Sequence, residues 1–154
     1  MNDRDIFRDT EGVLYNYSML KAEIHNLELE IEEVKDEYQG ISAISYEEKT
    51  GPTNKTSDIV ANEVIHKEKL IMKLEGIKRS KERLLMKINN AIDSLDETEK
   101  KFVEFRYTSN KKMSWNRVGE LMNLDPNYCC NVIRPTIINK LSNLIYMTHN
   151  VNRR

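Results

Sequence analysis

From Leu14 onward, apolar residues recur at Leu14, Tyr17, Leu20, Ile24, Leu27, Ile31, Val34 and Tyr38. These spacings of three and four trace one stripe along a helix. Glu23, Glu28, Glu30, Glu32, Glu33 and Lys35 occupy the other faces. The pattern predicts one long amphipathic helix over about residues 10–39, stopping near Gly40. Burying a Leu or Ile is worth about 1.5–3 kcal/mol, so this stripe must pack against another helix.

Residues 40–57 (GISAISYEEKTGPTNKTS) collect Gly51-Pro52 with several Ser, Thr and Asn residues. Such residues favour turns, so a loop is expected there. Ser57 or Asp58 can then cap a second long helix. Its apolar positions include Val60, Val64, Ile71, Leu74, Ile77, Leu84, Leu85, Ile88, Ile92 and Leu95, with Lys67, Lys78 and Lys81 interrupting the seam. Gly76 sits mid-run at a cost of about 1 kcal/mol relative to Ala. The two stripes together predict a long antiparallel helical hairpin, closed within one chain or exchanged between two. The interrupting lysines and the length of the loop favour exchange, so a homodimer built through the long helices is expected.

After Leu95 the pattern breaks into short units. Thr98-Glu99 open a helix through about Tyr107, with Phe102, Val103 and Arg106 at helical spacing, and Thr108 to Lys112 form a polar break. Ser114 can cap a helix from Trp115 to Met122 that ends at Asn123, a residue tolerant of the left-handed cap conformation. Asp125 then caps a further helix with Pro126 at its first position, where the missing N–H costs nothing. Two short helices joined by Asn123-Leu124-Asp125 predict a helix-turn-helix. Gly119 supplies the small residue where the helices cross, Leu124 plugs the turn, and Cys129 and Val132 are the positions expected to be buried.

Charge sharpens this division. Residues 1–58 carry 14 acidic against 6 basic side chains, residues 59–99 carry 8 of each, and residues 100–154 carry 3 acidic against 10 basic. A basic end behind an acidic one suits a chain that meets a polyanion with one end only. With 32% charged residues, 5 Gly and 3 Pro in 154, composition favours helix over a turn-rich β-protein. The charged N-terminus has no apolar core, and no apolar run is long enough to span a bilayer. The chain is therefore expected to be cytoplasmic and to have no membrane partner.

Asn127, Asn131 and Arg134 fall at i, i+4 and i+7, on one side of an α-helix whose opposite stripe is buried. Asn can pair bidentately with adenine and Arg with guanine in a major groove. Around them Lys100, Lys101, Lys111, Lys112, Arg117 and Lys140 are candidates to neutralise phosphates. Ser114 opens the Trp115 helix, whose N-terminal amides suit an anion. Enzyme chemistry finds no purchase. His25, His66 and His149 lack the spacing of a metal site, and no Gly-rich phosphate loop or G-x-S-x-G is present. The adjacent Cys129 and Cys130 lack C-x-x-C spacing and have no evident base. No catalytic residue, metal or cofactor is expected.

The run from Leu95 through Glu99 and Phe102 to Arg106-Tyr107, the stretch from Ser114 to Asp125, and Lys140-Leu141 resemble region 4 of bacterial sigma-70-type factors. There a helix-turn-helix follows an L-x-x-x-E-x-x-V-x-x-x-R-Y segment. The acidic coiled stretch ahead of it is similar in layout to phage late-gene transcription regulators of Gram-positive hosts, the RinA and ArpU-like group. The resemblance implies promoter DNA and RNA polymerase as partners. It assigns Asn127, Tyr128, Asn131 and Arg134 to bases, and Arg106 and Tyr107 to packing. Two features depart from the family. Pro135 falls where its recognition helix continues, so the helix must kink or restart, and Asn123 stands in place of a turn glycine. Segments like those with which sigma factors grip the core polymerase are missing.

The sequence thus predicts an all-α protein in three parts. Residues 1–93 form the hairpin with its 40–57 loop, 94–148 a sigma-region-4-like helix-turn-helix domain, and 149–154 a basic tail. The expected function is a DNA-binding transcriptional regulator, an activator of phage or prophage late genes. A phage small terminase subunit and a coiled-coil adaptor with a basic protein-binding end are the rival readings.

Overall fold

The computed structural model describes residues 3–43 and 54–147, and the side chains of 5–37 and 62–147. Among these residues every regular element is helical, with no strand. Helix α1 spans Asp3–Tyr15, α2 Tyr17–Ala43 and α3 Asn54–Asp93. Helix α4 (Glu97–Val103) passes into a π-helical turn, Glu104–Thr108. Helix α5 spans Trp115–Met122. The short α6 (Pro126–Tyr128) runs into a second π-helical turn, Cys129–Ile133, and α7 spans Arg134–Ile145. The loop expected at 40–57 is shorter, because α2 extends to Ala43 and α3 begins at Asn54. What remains of it, with the Ser57 and Asp58 side chains, Tyr38, Val60 and the 149–154 tail, lies outside the described residues or side chains.

Two compact units make up the chain. One is Ala22–Glu82; the other comprises the described residues of Met1–Lys21 and Arg83–Arg154. The division expected after residue 93 therefore does not coincide with the packing. The first helix starts at Asp3 and not near residue 10, and its early turns belong with the C-terminal part of the chain. Ile6, Phe7 and Val13 are half-buried there, while Thr10 and Leu14 are fully enclosed.

In the unit Ala22–Glu82, Ile31 of α2 and Leu74 of α3 are buried, and Ile24, Leu27, Val34, Val64 and Ile71 are half-buried. The lysines that interrupt the α3 seam each meet a glutamate of α2. Lys67 donates to Glu37 at 3.4 Å, Lys78 to Glu28 at 2.6 Å and Lys81 to Glu23 at 2.8 Å, while Lys35 of α2 reaches Glu75 at 3.0 Å. Partners descend along α2 as they ascend along α3, so the two helices run in opposite directions here. These contacts lie within one chain, and lysines satisfied in this way no longer favour an exchange of helices between two chains. The Lys78 ammonium, hydrogen-bonded to Glu28, is held above the ordinary lysine range, and Glu28 correspondingly below that of a glutamate.

The other unit has an apolar core. Leu14, Ile88, Phe102, Val103, Tyr107, Val118, Cys129, Ile137, Ile138, Leu141 and Ile145 are all within it. Helix α1 packs on α7 and on the first π-helical turn, and α5 packs on α6 and both π-helical turns. Tyr17 donates its hydroxyl to Asn89 at 2.8 Å, tying the start of α2 to the end of α3.

Candidate nucleic-acid interface

Helix ends in the C-terminal part are set by short polar side chains. Asp96 accepts from the Thr98 and Glu99 amides while Glu99 reaches back to the Asp96 amide, a reciprocal capping box that starts α4. Ser114 accepts from the Arg117 amide and starts α5. Asp125 accepts from the Asn127 and Tyr128 amides, with Pro126 at the first position of α6. Between α5 and α6 the chain turns at Asn123, the described non-glycine residue with positive φ (53°), and the Leu124 amide closes back on the Gly119 carbonyl at 2.9 Å. Gly119 is forced by the close crossing. A Cβ there would stand 2.7 Å from the Leu124 carbonyl oxygen and 3.1 Å from the Pro126 ring. Neither backbone can retreat without moving α6.

Pro135 reshapes the turn ahead of α7. It has no N–H to donate to the Asn131 carbonyl, and its ring would collide with a regular turn before it. The chain widens instead into the π-helical turn Cys129–Ile133, closed by the Arg134 amide donating to the Cys129 carbonyl five residues back. Helix α7 begins at Arg134, with Pro135 in its first turn. The wider turn changes which side chains share a face. Cys129 is fully buried, its thiol pushed up by burial and then by the Asp125 charge, which suits a packing residue and not a nucleophile. Val132, expected to be buried beside it, is 46% exposed. Asn127, Tyr128 and Asn131 are exposed.

Arg134 is the largest departure from expectation. It is not free on the Asn127–Asn131 side. Its Nε donates to Glu11 Oε1 at 2.7 Å and its Nη2 to Glu11 Oε2 at 2.6 Å, a bidentate pair with the Phe7 ring 5.4 Å away. Tyr107 donates its hydroxyl to the same Glu11 Oε1 at 2.7 Å. Burial alone would push the Glu11 carboxyl up. The hydrogen bonds from Arg134 and Tyr107, with the Arg134 and Arg106 charges, outweigh it and hold Glu11 below the ordinary glutamate range. The Tyr107 phenol, desolvated and facing that carboxylate, is pushed far up and stays protonated. Arg134 and Tyr107 therefore clamp α1 onto α7 and the first π-helical turn.

Arg106 packs alongside. Its guanidinium lies 4.2 Å from the Trp115 ring centre and 5.5 Å from that of Tyr15, and its Nη1 donates to the Met113 carbonyl at 2.6 Å. Both residues of the Arg106-Tyr107 pair thus hold the fold.

The candidate phosphate-binding residues divide by what already engages them. Lys101 and Lys111 are exposed. Lys112 is also exposed, with its ammonium 4.7 Å from the Tyr15 ring centre. Lys100 pairs with Glu97 at 3.0 Å and Arg117 with Glu120 at 2.7 Å, each within one turn at the surface. Surface pairs of that kind are worth so little that a phosphate can displace them. Lys140 is held by Glu99, which raises its ammonium above the ordinary lysine range. The Ser114 oxygen is used as a helix cap.

Glu11, Phe7 and Tyr15 join the site only through the fold. A sequence signal for them exists: Ile6, Phe7, Thr10 and Leu14 extend the helical spacing to the N-terminal side of the predicted start, and Glu11 stands beside that stripe. Among the described residues no group of His, Cys, Asp and Glu is placed to hold a metal ion. No described helix is long and apolar enough to cross a membrane. No protein-family model, curated protein or solved structure matches this chain.

Proposed function

We propose that the chain is a sequence-specific DNA-binding transcriptional regulator, of the kind that controls late genes in phages and prophages. In this reading α5 and the α6 segment form a helix-turn-helix, and α2 and α3 form a helical hairpin. The observation that carries it is the crossing at Gly119. There a left-handed Asn123, a capped α6 start and a glycine with no room for a side chain deliver exposed Asn127 and Asn131 beside a buried Cys129. This is the arrangement a helix needs to bury one stripe and offer the other to a major groove. The basic residues of 100–154, Lys101, Lys111, Lys112 and Arg117 foremost, supply the charge for phosphates. RNA polymerase is the protein partner that the sigma-like resemblance adds.

Incubating the intact chain with a pool of random duplexes tests the reading. One sequence should be enriched, and affinity for it should fall steeply with salt. Replacing Lys111 and Lys112 by Gln should reduce that slope by roughly 0.9 for each phosphate no longer neutralised. Binding without enrichment, or no binding, would reject the reading.

One observation favours a second reading, the adaptor. Tyr128 and Val132 line a groove with Phe102, Met122, Ile133 and Ile137, bordered by Asp96 and Glu99. An apolar groove with carboxylates at its edge suits a protein better than a phosphate backbone. Retention of a protein partner by a chain that enriches no DNA would support it.

A further inference from the structure

Sequence spacing put Asn127, Asn131 and Arg134 on one reading face, and that face would select both adenine and guanine. The geometry changes the set. The π-helical turn Cys129–Ile133 closes five residues back instead of four, so the i, i+7 relation of a regular α-helix no longer links residue 127 to residue 134. Asn127, Tyr128, Asn131 and Val132 are exposed. Arg134 instead pairs with Glu11, which accepts from its Nε and Nη2. Those two donors form one edge of the guanidinium fork, the kind of edge a bidentate guanine contact needs. The carboxylate that holds them is itself only 12% exposed and also accepts from Tyr107. Moving Arg134 to a base would leave Glu11 desolvated and short of both its arginine hydrogen bonds.

We infer that the surface reads adenine and not guanine: Asn127 and Asn131 contact bases, and Arg134 is a positioning residue that fixes the recognition segment through Glu11. This rests on the DNA-binding reading above and names the base class it selects. The side-chain amides of Asn127 and Asn131 each carry a donor and an acceptor, matching the N7 acceptor and N6 donor of adenine. The exposed rim beside them, Tyr128 and Val132, adds no group able to donate twice to guanine.

The experiment uses the intact chain and the duplex enriched from a random pool. Adenines and guanines in that duplex are replaced one at a time by analogues lacking N7. Adenine replacement at a contacted position should lower affinity about fivefold or more, and Asn131→Ala should abolish the effect at one of them. Guanine replacement should leave affinity unchanged throughout. A guanine replacement that weakens binding in the wild-type chain but not in Arg134→Gln would overturn the proposal while leaving the DNA-binding reading intact. So would indifference to every adenine replacement. If no duplex is enriched, the DNA-binding reading fails and this proposal with it. The analogue measurements use the unaltered protein, so their outcome does not depend on whether an Arg134 or Glu11 variant folds.

Discussion

The two units of this chain are both helical, one built from two long helices and the other mainly from short ones, and they are held together differently. In the Ala22–Glu82 unit lysines interrupt the apolar stripe of α3 and face glutamates of α2, and the ion pairs that join the two helices keep substantial exposure to water. In the other unit the helical segments enclose Phe102, Tyr107, Ile138 and Leu141 almost completely, and the bidentate pair of Arg134 with Glu11 is mostly withdrawn from solvent. Apolar burial is non-directional and strong, whereas exposed ion pairs are weak and depend on register. The first unit thus gains from its charges mainly an alignment of two helices, and the second gains stability and a fixed surface.

Truncating one apolar side chain in each unit gives the largest contrast. Phe102→Ala should cost about 3–5 kcal/mol in urea unfolding, because a closed core cannot collapse around the cavity. Leu74→Ala, at a position 8% exposed between two helices, should cost less, towards the lower end of the roughly 2–5 kcal/mol range for such truncations. Equal losses would show that the two units are packed alike.

Breaking the clamp comes next. Glu11→Ala removes the acceptor for Arg134 and Tyr107 and should lower stability by about 2–3 kcal/mol near neutral pH. The carboxyl is held below its unfolded value, so its contribution is complete above the unfolded pKa and is lost as pH falls through the lower folded one. The gap in unfolding midpoint between wild type and Glu11→Gln should accordingly close on acidification. A gap that stays constant down to strongly acidic pH would mean the carboxylate charge does not matter.

A methyl group at the crossing is a milder probe of the same unit. Gly119→Ala places a Cβ where the Leu124 carbonyl oxygen is only 2.7 Å away and should cost about 1–3 kcal/mol; on the proposed DNA-binding reading it should also lower DNA affinity, because α6 must shift. Unchanged melting and binding would show that the crossing has room for a side chain after all.

The smallest effect belongs to the seam. Lys81→Met, which gives up the 2.8 Å pair with Glu23, should change stability by less than about 1 kcal/mol, and added salt should erase the difference. A larger loss that survives high salt would put this pair on a par with the Glu11 clamp.

Much of the local structure was written in the sequence. The spacing of apolar residues along α2 and α3, the caps at Ser114 and Asp125, the left-handed residue at Asn123 and the need for Gly119 all depend on neighbours a few residues away. Periodicity and capping chemistry report such neighbours directly. Pro135 likewise announced a disturbance, since a missing N–H is a local fact. Its form was not legible. Whether the chain kinks, restarts or widens into a π-helical turn depends on what the next helix must pack against, and here that is α1, more than a hundred residues earlier. The same long-range packing decided the fate of Arg134 and Val132, because one residue added to a turn rotates everything after it. Glu11 has no local feature that marks it as the partner of Arg134 and Tyr107. Only the folded chain brings a carboxylate on α1 to an arginine on α7, and no pattern of spacing along the sequence registers a neighbour that distant.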